Sequence, residues 1–246
     1  MGGARGARTG ALVGIFRVGE LDHAGWSAGR YDLGHSSGPP QTEAVSVELG
    51  KAEMARIELR MKVGELRLEK GESKLIEGDL RYRDPEKPTV RTDSSSFRTT
   101  VSIEQPSGGH TSSRGDSYAW NLRLNPDTPL DLLVHFGVGE GKLNLGDLNL
   151  RSLEVHMGVG QLNVDLQGAP KHDYSLTIHG GVGQATVTFP AGVGIVADAH
   201  GGIGAIKVRG LQKDGDRYVN SAYGHSKVTV HADLHGGIGE INLIAE

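Results

Sequence analysis

The sequence predicts an all-β protein: a right-handed parallel β-solenoid, single-stranded and β-helix-like, with a hairpin-rich N-terminal cap. Three observations predict it. The phrase His-x-Gly-[Val/Ile]-Gly occurs five times, starting at His135, His156, His179, His200 and His235. The first four copies start 21, 23 and 21 residues apart, and the fifth follows after 35. A period in this range marks a solenoid, in which each repeat buries its apolar face against its neighbours. Second, apolar and polar residues alternate on both sides of every copy, which is the period of a half-buried strand. Third, no stretch has helical periodicity, and 38 of the 246 residues are glycine, a composition suited to many tight turns.

Residues 1–43 are rich in Gly, Ala, Arg and Ser, lack hydrophobic periodicity and are expected to form a disordered tail. Gly34-His-Ser-Ser-Gly38 fits the Gly-x-Ser-x-Gly nucleophile elbow. That motif needs a strand before it and a helix after it, and neither is predicted, so the match is read as chance. Arg5 and Arg8 precede the short apolar stretch Ala11–Phe16, but Arg17 and Glu20 interrupt it. It is too short for the apolar region of a signal peptide.

Residues 44–130 are assigned to the cap. Ile57, Leu59 and Met61 share one face, Arg60 and Lys62 the other, and Leu66 and Leu68 return to the apolar face after Val63-Gly64. This segment aligns without a gap on Leu153–Val164, with Arg60 at the place of His156, and counts as a sixth, degenerate repeat. Short strands are expected around Ile76–Tyr82, Thr99–Glu104 and Tyr118–Leu124. Proline- and glycine-bearing turns separate them, at Asp84-Pro85, Lys87-Pro88, Gln105–Gly109 and Asn125-Pro126. An end cap is required physically, because a bare terminal coil exposes a row of unpaired backbone groups.

Residues 131–246 carry the repeats. Leu132, Val134 and Phe136 lead into the first turn and Leu143 and Leu145 lead out, and the later copies follow suit. Val138, Val159, Val182, Ile203 and Ile238 are expected at the corners, pointing inward. The long last spacing leaves an insertion at Gly210–Gly224. Insertions in solenoids map to loops, often on a binding face, so Tyr218, Asn220 and Tyr223 become candidate partner contacts.

Val63-Gly-Glu-Leu66, the strand Trp120-Asn-Leu-Arg-Leu124 before Pro129-Leu130, the serial Gly-[Val/Ile]-Gly turns and Tyr218–Tyr223 form an ordered set. From about Val45 onward this set resembles the bacterial toast-rack family of adhesin-like envelope proteins. It is also similar to the β-solenoid domains of cell-wall-active antibiotic response proteins. The resemblance implies a β-solenoid in an extracytoplasmic or membrane-associated setting. It brings no catalytic residues.

Composition narrows the chemistry. A formal charge of -4 gives no reason to expect nucleic acid. The chain has no cysteine, which rules out disulfides, thiol catalysis and Cys-zinc sites. No run reaches the roughly 18 apolar residues of a membrane span. The glycine turns lack the following helix that a phosphate-binding loop needs. The calcium-binding form Gly-Gly-x-Gly-x-Asp fails at Ala185, Ile206 and Ile241, where the ligand would stand. Arg114-Gly115-Asp116 is read as a chance adhesion tripeptide.

The histidines fall on the polar parity. Parallel stacking at ~4.8 Å would set His135, His156, His179, His200 and His235 in a surface column, with Glu154, Thr177, Asp198 and Asp233 in a second column beside it. Such a column could share a borderline metal ion or sense pH. The plain reading is that a solvent-facing position accepts any polar residue and duplication copied a histidine, and Arg60 favours it. No catalytic residue, cofactor or metal ligand set is therefore assigned. The expected function is non-enzymatic: an adhesin-like or scaffold module of the cell envelope that binds a protein or wall polymer through its sheet faces. The alternative is an accessory regulator of an envelope-stress signalling system.

Overall fold

The computed structural model describes residues 16–17, 39–106 and 118–245. The residues of the elbow match and of the Arg-Gly-Asp tripeptide lie outside them. The described strands are β1 (Phe16–Arg17), β2 (Gln41–Val47), β3 (Met54–Lys70), β4 (Ile76–Tyr82), β5 (Thr89–Ser94), β6 (Arg98–Glu104) and β7 (Ala119–Leu124). Then come β8 (Leu130–Asn144), β9 (Leu150–Asp165), β10 (Tyr174–Phe189), β11 (Gly194–Arg209), β12 (Gln212–Asp214), β13 (Arg217–Val219) and β14 (Thr229–Ala245). No helix occurs among the described residues, and none is therefore long and apolar enough to cross a membrane.

Six long strands form the stack, all parallel, in the order β3-β8-β9-β10-β14-β11. Each is two arms joined at a corner, Gly-x-Gly in five of them and Lys62-Val63-Gly64 in β3. In β8 the first arm buries Leu130, Leu132, Val134 and Phe136 on even numbers, and the second buries Leu143 on odd numbers. The inward parity thus changes once per strand, and both arms face one shared core. A short link such as 145–149 then returns the chain to the next first arm. Its leucines, Leu145 and Leu148, are buried too. One apolar cluster runs from Val45 to Leu243.

The cap is built as hairpins and covers both arms of β3. The second arm of β3 pairs with β7, which continues antiparallel into β4 and β2; its first arm pairs with β6, which carries β5. Asn125 ties the cap to the first coil. Its buried amide oxygen accepts from the backbone N–H of Asp127 and Thr128 and from the Thr128 hydroxyl, while its nitrogen donates to Glu72 O. β2 begins at Gln41, inside the stretch expected to be tail. β5 is an added edge strand, polar enough to carry no alternation signal.

Three expectations are corrected. Val138, Val159, Val182, Ile203 and Ile238 do not point inward; they are 49, 47, 44, 71 and 51% exposed. The parity changes before the corner residue, at the preceding glycine, so Val138 joins the outward set of the second arm with Lys142 and Asn144. The coils also do not stack in chain order, because β14 lies between β10 and β11. The insertion, finally, is not a free loop. β13 pairs antiparallel with Val196–Asp198 of β11, and β12 pairs with β13.

Candidate binding surface

Strict parallel register turns each repeat position into a ladder. Arg60, His135, His156, His179, His235 and His200 are successive neighbours in one of them. The five imidazoles stack face to face, with ring centroids 4.7, 4.9, 5.3 and 5.5 Å apart and interplanar angles of 6–22°. His235 therefore precedes His200 in space. The ring of His156 lies 2.6 Å from a Glu154 carboxylate oxygen and that of His235 2.9 Å from Asp233. A carboxylate only accepts, so each ring donates from Nε2.

Stacking limits what this ladder can hold. Two zinc–nitrogen bonds span about 4 Å, less than the offset between neighbouring rings, and parallel rings aim their lone pairs side by side. Among the described residues, no three His, Asp or Glu side chains gather in a metal-holding group.

Proton binding is resisted at one end of the stack. The pKa of His135 lies below the ordinary histidine value, first through burial, then through repulsion by His156 and Arg60, with Glu154 and Glu58 opposing. The unfolded chain therefore takes up the proton first. The resulting stability is whole above the ordinary value near 6.5 and is lost as pH falls below it toward the folded value. Thermal melts from pH 7.5 to 5 are expected to show a falling midpoint, and His135→Gln to flatten the lower part of that curve. An identical slope in the variant would show that His135 does not contribute.

The second ladder is apolar. Val63, Val138, Val159, Val182, Ile238 and Ile203 line the outer corner over six strands, about 24 Å at the spacing of a β-sheet. From Val138 onward glycine flanks it on both sides, and Val63 at its end follows Lys62 and is only half-exposed. A Cβ on Gly158 would stand 2.5 Å from Gly137 O, and one on Gly160 1.9 Å from Gly139 O. The ridge is thus a row of exposed branched side chains between two strips of bare backbone. Exposed apolar rows of this kind mark contact surfaces more often than scattered single residues do.

The insertion residues also make contacts within the chain. Tyr218 pairs with Ala197, on the inward parity, and packs against the core. The Asn220 amide donates to Val193 O at 2.7 Å and accepts from the N–H of Ile195 at 2.9 Å, clamping the start of β11. Tyr223 is half-buried and donates its backbone N–H to Asn220 O. Tyr223 lines an outward hollow, with Arg217, Asp198, Asp233 and His231. The sequence signal for the outward ladder of Val and Ile is the glycine before each of Val138, Val159, Val182, Ile203 and Ile238, where the parity changes.

An all-β stack with Gly-x-Gly corners and a hairpin cap defines a class of β-solenoid, and comparison with known proteins places the chain within it. The family described as the N-terminal domain of toast_rack, DUF2154, matches residues 36–188, and the chain belongs to that family. A candidate cell adhesion protein from Clostridium sporogenes is 33% identical in sequence, with a TM-score of 0.79 over 84% of this chain and 100% of that one. A candidate adhesin from Bacteroides fragilis is 12% identical, covers 85% of this chain and 98% of its own, and has a TM-score of only 0.32, a likeness too slight to bear on this molecule. No curated protein matches the sequence.

Proposed function

We propose that this protein is a non-enzymatic, adhesin-like module of the cell envelope, working outside the cytoplasm and binding a protein or wall polymer. The observation that carries the reading is the apolar corner ladder. It is exposed on five successive strands, kept clear there by glycine on both sides, and larger than a lone surface residue needs to be. The description of the Clostridium sporogenes relative as a candidate cell adhesion protein supports the same role. Affinity would come from burial of the ladder, with the histidine ladder beside it supplying polar contacts.

The test is co-sedimentation of purified protein with isolated envelope from its host. The wild-type chain is expected to pellet, and the triple variant Val182→Ser/Ile238→Ser/Ile203→Ser to pellet at least about tenfold less, since each apolar side chain removed from a contact is worth about 1 kcal/mol or more. All three side chains are exposed, so the melting temperature should stay within a few degrees. Equal pelleting by both proteins would remove the corner ladder from the function; recovery only in the supernatant would remove the envelope.

A further inference from the structure

The two sheets of the solenoid do not end together. The first-arm sheet continues past β11 through β13 and β12, whereas the second-arm sheet ends at β11 itself. Ile203–Arg209 pair with β14 on one side, and among the described residues no strand pairs with their other side. Leu211 and Tyr218 pack on the core from the overhang, and Ile206 and Val208 at the edge are only partly buried. At the opposite end of the stack both arms of β3 are covered. A bare edge is a template for another strand.

We propose that this slot receives an extended segment of a partner protein, added parallel beside the second arm of β11, with large apolar side chains inward and an acidic side chain outward. The inward demand is set by one ladder. Met61, Phe136 and Met157 fill the inside of the corner, but the next three steps are Gly180, Gly236 and Gly201. They leave a small, mainly apolar hollow of about 30 Å³, open to the outside at the edge and lined by Met157, Ile178, Leu234 and Ile241. A bulky side chain at the matching position of an added strand falls over these glycines.

The outward demand is set by charge. The outward residues of the β11 edge are Ala205, Lys207 and Arg209, two of them basic. Inside the stack such charges are met from neighbouring strands, Lys142 by Glu65 at 3.7 Å and Lys207 by Glu240 at 2.5 Å. An acid on the added strand would add a contact from the open side to those that Lys207 and Arg209 already make. A second copy of this chain fits less well. The β12–β13 overhang extends two strands, about 10 Å, into the place its first-arm sheet would need. A single strand passes beneath. Backbone bonds then supply affinity and alternate side chains supply specificity, as in β-augmentation generally.

This inference rests on the proposed binding role but uses a surface apart from the Val/Ile corner ladder. Its probe is a fluorescein-labelled peptide copying residues 157–166. In the parallel register its Met stands beside Gly201, its Leu and Val beside Ile206 and Val208, and its Asp beside Arg209. Anisotropy titration of the full chain should saturate, and hydrogen exchange should slow at Ile203–Arg209. Arg209→Glu should weaken binding about tenfold. Gly201→Phe, at a site where a Cβ meets only ordinary contacts, should do so by filling the hollow from within. The Val/Ile triple-serine variant should keep the peptide, which separates this site from the envelope contact. No saturation at about 1 mM, protection elsewhere, or dimers that the peptide dissolves would overturn the proposal.

Discussion

Replacing Gly160 with alanine is expected to destabilise the protein by about 3–6 kcal/mol, the sum of a strained backbone and an overpacked contact. Gly160 has φ +144°, and its Cβ would stand 1.9 Å from Gly139 O and 2.9 Å from Gly139 C. Those atoms are backbone in the ladder, so neither can swing aside. Every step of the column repeats the conflict: Gly183, Gly239 and Gly204 place the same oxygen at 1.8, 1.8 and 1.7 Å. Two comparisons isolate the cause. Gly192 has φ +75° with open space around it, so Gly192→Ala should cost about 1–2 kcal/mol from conformation alone. Gly180, with its nearest contact at 3.7 Å and no left-handed φ, should accept alanine without loss. Urea denaturation of the three variants checks the order. Equal stability of Gly160→Ala and Gly180→Ala would refute the account of the corner.

Asn220→Ala is expected to cost about 2–3 kcal/mol and to lower the melting midpoint by about 5–10 °C, taking a few degrees per kcal/mol for a chain of this size. The substitution removes two hydrogen bonds and leaves Val193 O and the Ile195 N–H unpaired at the point where β11 begins. Ser226 supports the same turn, accepting from the N–H of Gly194 and donating to Val228 O. The insertion would loosen as a unit, since β13, which carries β12, joins the stack at Val196–Asp198, just beyond this clamp. Differential scanning calorimetry measures the loss. A partner-contact role for Asn220 would instead leave the midpoint unchanged.

Much of this molecule is readable along the chain, for a physical reason. Alternation of apolar residues is a direct print of burial, so Leu132-Val134-Phe136 and its counterparts mark the strands without tertiary knowledge. Arg60 falls on the histidine ladder as the gapless alignment predicts. What fails is phase and order. A corner can change parity on either side of its apolar residue, and the pattern Phe136-Gly-Val-Gly is compatible with both; the backbone angle decides. Stacking order is hidden for a different reason. The coil around His235 is chemically equivalent to the one around His200, so no pattern says which sits beside His179, and only the longer spacing hints that the path departs from succession. The clamp of Asn220 could not be read at all, because its partners lie some 25 residues earlier.

The place of β14 between β10 and β11 bears on how the chain is made. A solenoid stacked in order can grow coil by coil as it leaves the ribosome, each new turn settling on the one before. Here β11 is synthesised ahead of the strand it must rest on. Until β14 emerges, β10 and β11 each lack the neighbour that joins them in the finished stack. Completion is therefore a single late insertion rather than another increment of growth, and it joins residues far apart in sequence, which slows folding. The vectorial part of assembly ends at β10; everything after it waits for the keystone.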